Sequence, residues 1–456
     1  MTVAKLDFFG TDGIRGIANR FPVTPQVALT LGRAAAHVLA GTSDRQPKVV
    51  VGGDARMSSN VLKMAAAAGF SGAGANVLVY PTLTTPALAQ ELLLQGVDCG
   101  LMVTASHNPP EYNGFKLFNA RAQKLSTEEE LLIENRLKAL LEQAAHDDWE
   151  SSIGKIEMQS DCHAYCEWLC RSLAGHDFGG MRCVFDCANG GACFVAPQVV
   201  SRLDLDAVWI GNHPDGNNTG VGCGALHPEA LGEAVRSHRA AIGFAFDGDA
   251  DRLVVVDEEG IALPGDLLIA GLALMLREEG KLVENGVVLT IMSNLGVVNY
   301  LREEGMQVTL TDVGDKHVAE AMRANQWSLG GEESGHVILG DYAPGGDGLL
   351  VALHLLRGLQ RTGLSLRELR ERIPLYPRRL CSVTVTEKRP LEECPHIQGA
   401  KHAMDETMAG KGRIVVRYSG TEPKLRVLVE AQTSELVEKS LERMLQAIEK
   451  DLTLCR

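Results

Sequence analysis

The chain has 456 residues, enough for two to four domains at roughly 100–200 residues each. Hydrophobic residues make up 45% of it and charged residues 22%, a globular composition that excludes long disordered stretches. A net charge of −14 argues against nucleic acid or an anionic membrane surface as a partner, so an anionic substrate would need locally concentrated positive charge.

The N-terminus, MTVAKLDFFGTDG, has no long apolar stretch of the signal-peptide kind. No apolar run reaches the roughly 18 residues that span a bilayer, so the cytoplasm is the expected location. Gln26–Ala40 then reads as an Ala/Leu-rich helix, Lys48–Val51 as a buried strand and Leu62–Gly69 as a helix. Asn76–Tyr80 reads as a strand, Pro86–Leu94 as a helix and Cys99–Val103 as a strand that ends at a loop. Short β-branched runs between amphipathic helices indicate layered α/β units.

The acidic helical run Ser126–Ala145, followed by HDDWESS, marks a boundary. A second α/β unit starts near Arg182–Asp186, continues through Ala241–Phe246 and turns at DGDADR. A third runs from about Ile261 to Gln360, with strands at Val287–Met292 and Gln307–Thr311. The prolines of RIPLYPRR break helix and strand alike, which suits a linker and hinge. The last stretch has strands at Cys381–Val385, Arg413–Val416 and Leu425–Val429, and a closing helix over Ser434–Lys450. The expected domains are 1–150, 151–256, 257–370 and 371–456. Eleven cysteines over this length make no disulfide framework, and Cys99, Cys183 and Cys187 sit in apolar runs that suit reduced thiols.

Each of the first three units places a polar loop directly after an apolar strand, where open α/β sheets gather ligands. TASHNP, Thr104–Pro109, offers Ser106 beside His107, with the cation of Lys116 ten residues on. Ser106 could be a nucleophile or a phosphorylated serine needing cationic partners, and the loop also fits a simple turn. It lacks the G-x-S-x-G elbow of a hydrolase.

DGDADR sets Asp247, Asp249 and Asp251 at alternate positions, where they can converge on one hard cation of the Mg²⁺ or Ca²⁺ type. Glu258 falls at the twelfth position of an EF-hand, but Arg252 replaces its required Gly and LVVVD reads as a strand, so an EF-hand is rejected. In GGEESGH, Glu332 and Ser334 could bond sugar hydroxyls, or simply form a turn. RYSGTEPKLR combines Arg417, Ser419, Gly420, Thr421 and Arg426, a set suited to a phosphate or to a surface hairpin. FGTDGIRG carries Arg15, and GGDAR carries Arg56; both are weak signals alone. Cys162, His163, Cys166 and Cys170 follow helical spacing, which favours packing over zinc.

Five of these motifs, in this order from Gly10 to Arg426, resemble the α-D-phosphohexomutase superfamily. TASHNP looks like its phosphoserine loop, DGDADR its metal loop, GEESGH its sugar loop, RYSGTEP its phosphate loop and FGTDGIRG its N-terminal signature. Within the superfamily, FGTDGIRG, SGTEPKLRV and PDGNNTGVGCGALHPE (Pro214–Glu229) are similar to the bacterial phosphoglucosamine mutase branch. Glu333, where that branch more usually has Gln, and GDYAPGGDGL, which lacks its Thr-Thr, lean instead towards phosphoglucomutase/phosphomannomutase relatives.

The resemblance implies an α/β fold of four domains around a central cleft: three α/β units with mixed sheets and a smaller C-terminal α+β domain. It implies interconversion of glucosamine 6- and 1-phosphates, feeding amino-sugar nucleotide and cell-wall precursor synthesis, with glucose or mannose phosphates as the alternative. Ser106 would carry the phosphoryl group and join Asp247, Asp249 and Asp251 around Mg²⁺. Arg15, Lys116, His107 and His336 would be catalytic. Glu332, Ser334 and Arg252 would bind sugar. Arg417, Ser419, Gly420, Thr421 and Arg426 would hold the non-reacting phosphate. A sugar 1,6-bisphosphate would be activator or intermediate. The only partner implied is the hexose phosphate; monomer and homodimer stay open.

Overall fold

The computed structural model describes residues 6–10, 12–39, 45–142, 152–408, 410–419 and 423–454. Its contacts divide the chain into two compact units: Met1–Ile291 with Thr309–Glu368, and Met292–Val308 with Leu369–Arg456.

The first unit contains three mixed sheets. One comprises β1 (Ile14–Ile17), β2 (Lys48–Gly53), β3 (Asn76–Thr82), β4 (Cys99–Val103), β5 (Tyr112–Asn119) and β6 (Ile156–Met158), in the spatial order β1-β5-β4-β2-β3-β6. β2 lies parallel to β3 and β4, while β5 runs antiparallel to β4 and β1. Val49, Val51, Leu101 and Val103 bury their side chains against helices Pro25–Leu39, Ser59–Gly72 and Thr127–Glu142. Continuous apolar strands of this kind need cover on both faces.

The second sheet comprises β7 (Met181–Asp186), β8 (Leu205–Ile210), β9 (Ile242–Phe246), β10 (Leu253–Val256) and β11 (Ala262–Leu263), ordered β11-β10-β9-β7-β8. The third comprises β12 (Gly286–Thr290), β13 (Gln307–Thr311), β14 (Leu329–Gly331) and β15 (Val337–Leu339), ordered β13-β12-β14-β15. In the second unit, β16 (Arg378–Thr384), β17 (Gly412–Tyr418) and β18 (Lys424–Ala431) form an antiparallel sheet ordered β16-β18-β17. Helices Pro395–Met408 and Ser434–Asp451 bury Met404, Met408, Met444 and Ile448 with the strand residues Val427 and Val429. Three mixed sheets and one smaller antiparallel sheet are the architecture expected from sequence.

Several strands were not expected, among them the short β6, β11, β14 and β15, the strand β8, and the pair β1 and β5. β1 and β5 arise in FGTDGIRG and in the segment after TASHNP, where glycines dilute local strand propensity. They form because each pairs with a neighbour, and pairing outweighs a weak local preference. The helix His163–Ser172 buries Tyr165, Cys166 and Leu169 and leaves His163 exposed, as packing requires and zinc does not. Among the described residues no helix is long and apolar enough to cross a membrane.

Candidate active site

One local pattern recurs three times in the first unit. A buried strand ends, a polar loop follows, and the chain returns as an antiparallel neighbour: β4 to β5 through TASHNP, β9 to β10 through DGDADR, and β14 to β15 through EESGH. Each loop is therefore pinned at both ends by sheet hydrogen bonds. Lys116 returns on β5 opposite Met102, which is why a residue ten positions from Ser106 stands near the same centre.

Ser106 and the aspartate loop meet. Ser106 Oγ donates to Asp247 Oδ2 at 2.6 Å, and His107 Nδ1 lies 3.2 Å from Ser106 Oγ. Ser106 has φ 51°, a left-handed backbone that turns its side chain toward this loop. Gly248 permits the approach: a Cβ there would lie 2.5 Å from Ser106 O and 3.0 Å from Thr219 Cγ2.

Asp247, Asp249 and Asp251 are buried and offer oxygens within 4.8 Å of one another. Asp249 Oδ1 and Asp251 Oδ1 are buried without a hydrogen-bond donor. Thr85, which opens the helix Thr85–Gln95, fixes Asp249 by donating its Oγ1 to Oδ2 at 2.5 Å and its N–H to the Asp249 carbonyl at 2.9 Å. Unfilled carboxylate oxygens in an all-oxygen donor set fit a hard divalent cation. Among the described residues this is the one group of three or more such side chains that could hold a metal.

The Lys116 ammonium meets Asp249 Oδ2 at 2.7 Å and Asp251 Oδ2 at 2.8 Å, with Asp12 Oδ2 at 3.4 Å. Burial works against its charge, but Asp12, Asp249 and Asp251 prevail and hold its pKa well above the usual lysine range. Burial would raise Asp251, yet Lys116, His336 and Arg252 outweigh it and hold it well below the carboxylate range. Asp247 behaves oppositely: burial, then Asp251 and Asp249, push it up to about 8. His107 is pushed down to about 4 by burial and by Arg252 and Arg15, so its ring is neutral near pH 7.

The other expected residues of this unit gather around the same centre. Arg15, on β1, donates to Asn108 Oδ1 at 2.7 Å and pairs with Asp12. The Arg252 backbone N–H donates to Asp247 Oδ1 at 3.2 Å, and its guanidinium is stabilised against burial by Asp247, Asp251 and Glu332. His336 has Nδ1 3.9 Å from Asp251 Oδ1 and Nε2 3.5 Å from Asp315 Oδ2, and Gly346 N donates to its Nε2 at 3.2 Å. Glu332 Oε1 accepts from Gly314 N at 2.9 Å. Ser334 Oγ is buried without a partner, a hydroxyl available to a ligand.

Several residues of this network carried no separate sequence signal. Asp12 joins Arg15, Lys116 and Lys124; Lys124 also meets Asp315 at 2.6 Å. A solvent-open cleft has Lys124, Asp251, Asp315, Lys316 and His336 in its wall. Asp12 sits inside a motif already noted, FGTDGIRG. Lys124 and Asp315 lie in ordinary polar segments, and only folding brings them together.

The second unit contains the anion-suited loop. Arg417 on β17 and Arg426 on β18 are directly opposed, so both side chains stand on one face. Two like charges in register disfavour the pair unless something negative lies between or beside them. Ser419 is buried, and its carbonyl accepts from Lys388 Nζ at 2.6 Å, adding a cation that the sequence reading missed. Gly420 and Thr421 lie outside the described residues.

Comparison with known proteins covers nearly the whole chain. Four domain families described as Phosphoglucomutase/phosphomannomutase match it: alpha/beta/alpha domain I at residues 7–144, domain II at 169–260, domain III at 264–376 and the C-terminal domain at 380–447. A phosphoglucosamine mutase of Caldicellulosiruptor saccharolyticus is 40% identical over 450 residues, covering 98% of this chain and 99% of the relative. A phosphoglucomutase/phosphomannomutase family protein of Burkholderia thailandensis has the same fold, with TM-score 0.81, 24% identity and 98% coverage of both chains. An Aspergillus fumigatus N-acetylphosphoglucosamine mutase, solved with GlcNAc-6P and magnesium, also shares the fold, with TM-score 0.68 and 19% identity over 98% of this chain and 96% of that one.

Proposed function

This chain belongs to the phosphoglucomutase/phosphomannomutase family, and on that premise we propose that it interconverts glucosamine 6-phosphate and glucosamine 1-phosphate through phosphorylated Ser106. The observation that carries the reading is the contact of Ser106 Oγ with a buried triple carboxylate that has oxygens to spare. The phosphoglucosamine mutase relative, 40% identical along almost its entire length, supports glucosamine as the sugar.

The chemistry is a reversible phosphoryl transfer. A sugar hydroxyl attacks phosphorus on Ser106, the P–Oγ bond breaks and a P–O(sugar) bond forms. The hydroxyl gives up its proton, and Ser106 Oγ regains one. The product is a sugar 1,6-bisphosphate, which turns over and returns its other phosphate to Ser106. Magnesium, bound by Asp247, Asp249 and Asp251, would neutralise charge on the transferring group.

The chain's own residues supply the rest. Lys116 places fixed positive charge on the aspartate loop that meets Ser106, and Arg15 places it on the Ser106 loop itself. Neutral His107, 3.2 Å from Oγ, can accept a proton there, and His336 is a second acid–base candidate beside Asp251. Glu332, Ser334 and Arg252 are assigned to sugar hydroxyls. Arg417, Ser419, Gly420, Thr421 and Arg426 are assigned to the phosphate that does not react. The domains 1–150, 151–256, 257–370 and 371–456 would then contribute one loop each.

A second reading, action on glucose or mannose phosphates, is favoured by Glu333 in the sugar loop. Side-by-side rates on glucosamine, glucose and mannose 6-phosphates test both. A preference for glucosamine 6-phosphate that disappears in Ser106→Ala is expected. A preference for either other sugar would transfer the assignment to it. Steady release of inorganic phosphate without isomerisation would make the protein a phosphatase.

A further inference from the structure

The short GGDAR segment has no role in the chemistry above, yet it holds one of the most completely bonded side chains near the site. Arg56 is 2% exposed. Its Nε donates to Asp54 Oδ2 at 3.0 Å. Nη1 donates to the carbonyls of Pro109 at 2.6 Å and Tyr112 at 3.1 Å. Nη2 donates to the carbonyls of Ser106 and Asn108, both at 2.8 Å. All five N–H groups of the guanidinium are used, three of them on the backbone of the Ser106 loop and a fourth on Tyr112, where β5 begins.

Asp54 completes the device. Its Oδ2 also accepts from Thr104 Oγ1 at 2.7 Å, and Thr104 Oγ1 in turn accepts from Ser106 N at 3.0 Å. Its Oδ1 is held by Ser59 Oγ at 2.7 Å and Arg56 N at 3.1 Å. The N–H and the C=O of Ser106 are thus fixed through the same carboxylate, one by Thr104 and one by Arg56. Between them lies the left-handed φ of 51°, which costs a non-glycine residue about 1 kcal/mol or more and persists only where its surroundings impose it. A Cβ on Gly248 would lie 3.5 Å from Arg56 Nη2, so the guanidinium also underlies the point where the aspartate loop meets the serine loop.

We propose that Asp54 and Arg56 form a backbone clamp that holds Ser106 in its left-handed conformation, and that Arg56 is a positioning residue for phosphoryl transfer. It never touches the sugar or the reacting atoms. It aims Oγ at the metal carboxylates by holding the four carbonyls that shape the loop. Lysine cannot substitute, because three donors on one nitrogen cannot fork to five acceptors. The geometry stands by itself; its consequence for turnover rests on the function proposed above.

The test compares Arg56→Lys with Arg357→Lys, another buried arginine of the same unit, which pairs with Glu279 at 3.1 Å. For each full-length variant, the crystal structure, thermal midpoint, kcat and KM for the sugar phosphate are measured. In Arg56→Lys, Ser106 is expected to leave the left-handed region, with kcat falling about 10²-fold and KM changing by less than about threefold. Arg357→Lys should match its loss of thermal midpoint while keeping kcat. Retention of the Ser106 backbone, retention of kcat, or a kcat loss that tracks the thermal midpoint equally in both variants would each overturn the proposal. If Arg56→Lys does not fold, Thr104→Val, which spares the ion pair, is judged by the same criteria. If the wild-type protein isomerises no hexose phosphate, the functional reading fails, and the clamp is then judged on the Ser106 backbone alone.

Discussion

Ser106 Oγ lies 2.6 Å from Asp247 Oδ2, although 141 residues of chain separate them. The contact joins the loop after β4 to the loop after β9, two strands of different sheets. It puts the serine hydroxyl of TASHNP against the carboxylates that can hold a divalent ion, while the Thr104 hydroxyl is spent on Asp54. Nothing in either loop alone requires this.

The closeness of those loops depends on Gly248. An added methyl would lie 2.5 Å from the Ser106 carbonyl, a clash with backbone that no side-chain rotation relieves. Gly248→Ala should therefore separate serine from carboxylates. Turnover is expected to fall about 10²-fold, as misplacement by an ångström commonly costs. The stability loss should stay near 1–3 kcal/mol. Steady-state rates together with denaturant melts check this, and an active Gly248→Ala protein would mean the loops are not held as described.

Metal dependence should be absolute and traceable to the three aspartates. Chelation is expected to abolish turnover and added Mg²⁺ to restore it. Asp249→Asn and Asp251→Asn each remove an oxygen that carries no donor, and each should raise the Mg²⁺ needed for half-activation at least about tenfold. Titration of activity with Mg²⁺ measures it. Equal half-activation concentrations in wild type and variants would assign the metal elsewhere.

A buried histidine remote from this centre should govern acid stability. The His354 ring packs against Tyr342 at a tilt, with centroids 4.4 Å apart, and meets Ser172 Oγ through Nε2 at 3.0 Å, while its Nδ1 is buried without a partner. Burial, with Arg357 and Lys281 nearby, pushes its pKa down to about 3, whereas in the unfolded chain it is near 6.5. The unfolded state thus binds a proton that the folded state refuses across that interval. Stability is complete above pH 6.5 and drains as pH falls toward 3, by about 1.4 kcal/mol per pH unit. His354→Gln keeps a polar partner for Ser172 and removes the titration. Its thermal midpoint should change less between pH 7 and pH 5 than that of wild type; identical slopes would place the acid sensitivity elsewhere.

The sequence made the loops legible because each one interrupts a strongly apolar strand. Cys99–Val103 and Gln307–Thr311 are strands with the boundaries read from sequence, and Ile242–Phe246 differs by one residue. The triple aspartate was legible because alternate carboxylates are uncommon at a strand end. Other parts were not. β5 is a strand by virtue of its pairing with β4, and β1 by virtue of its pairing with β5. Asp12, Lys124 and Asp315 look like ordinary surface charges until the fold places them together. Arg56 was dismissed with a weak glycine-rich segment, since what it binds is backbone, and backbone acceptors leave no mark in the sequence.

Intact mass of the purified protein, taken before and after exposure to a sugar 1,6-bisphosphate and paired with isomerisation of glucosamine 6-phosphate, bears on Ser106 most directly. Wild type is expected to carry or acquire one phosphoryl group on Ser106 and to isomerise the sugar phosphate, and Ser106→Ala to do neither. A fully active Ser106→Ala protein would contradict the phosphoserine mechanism outright.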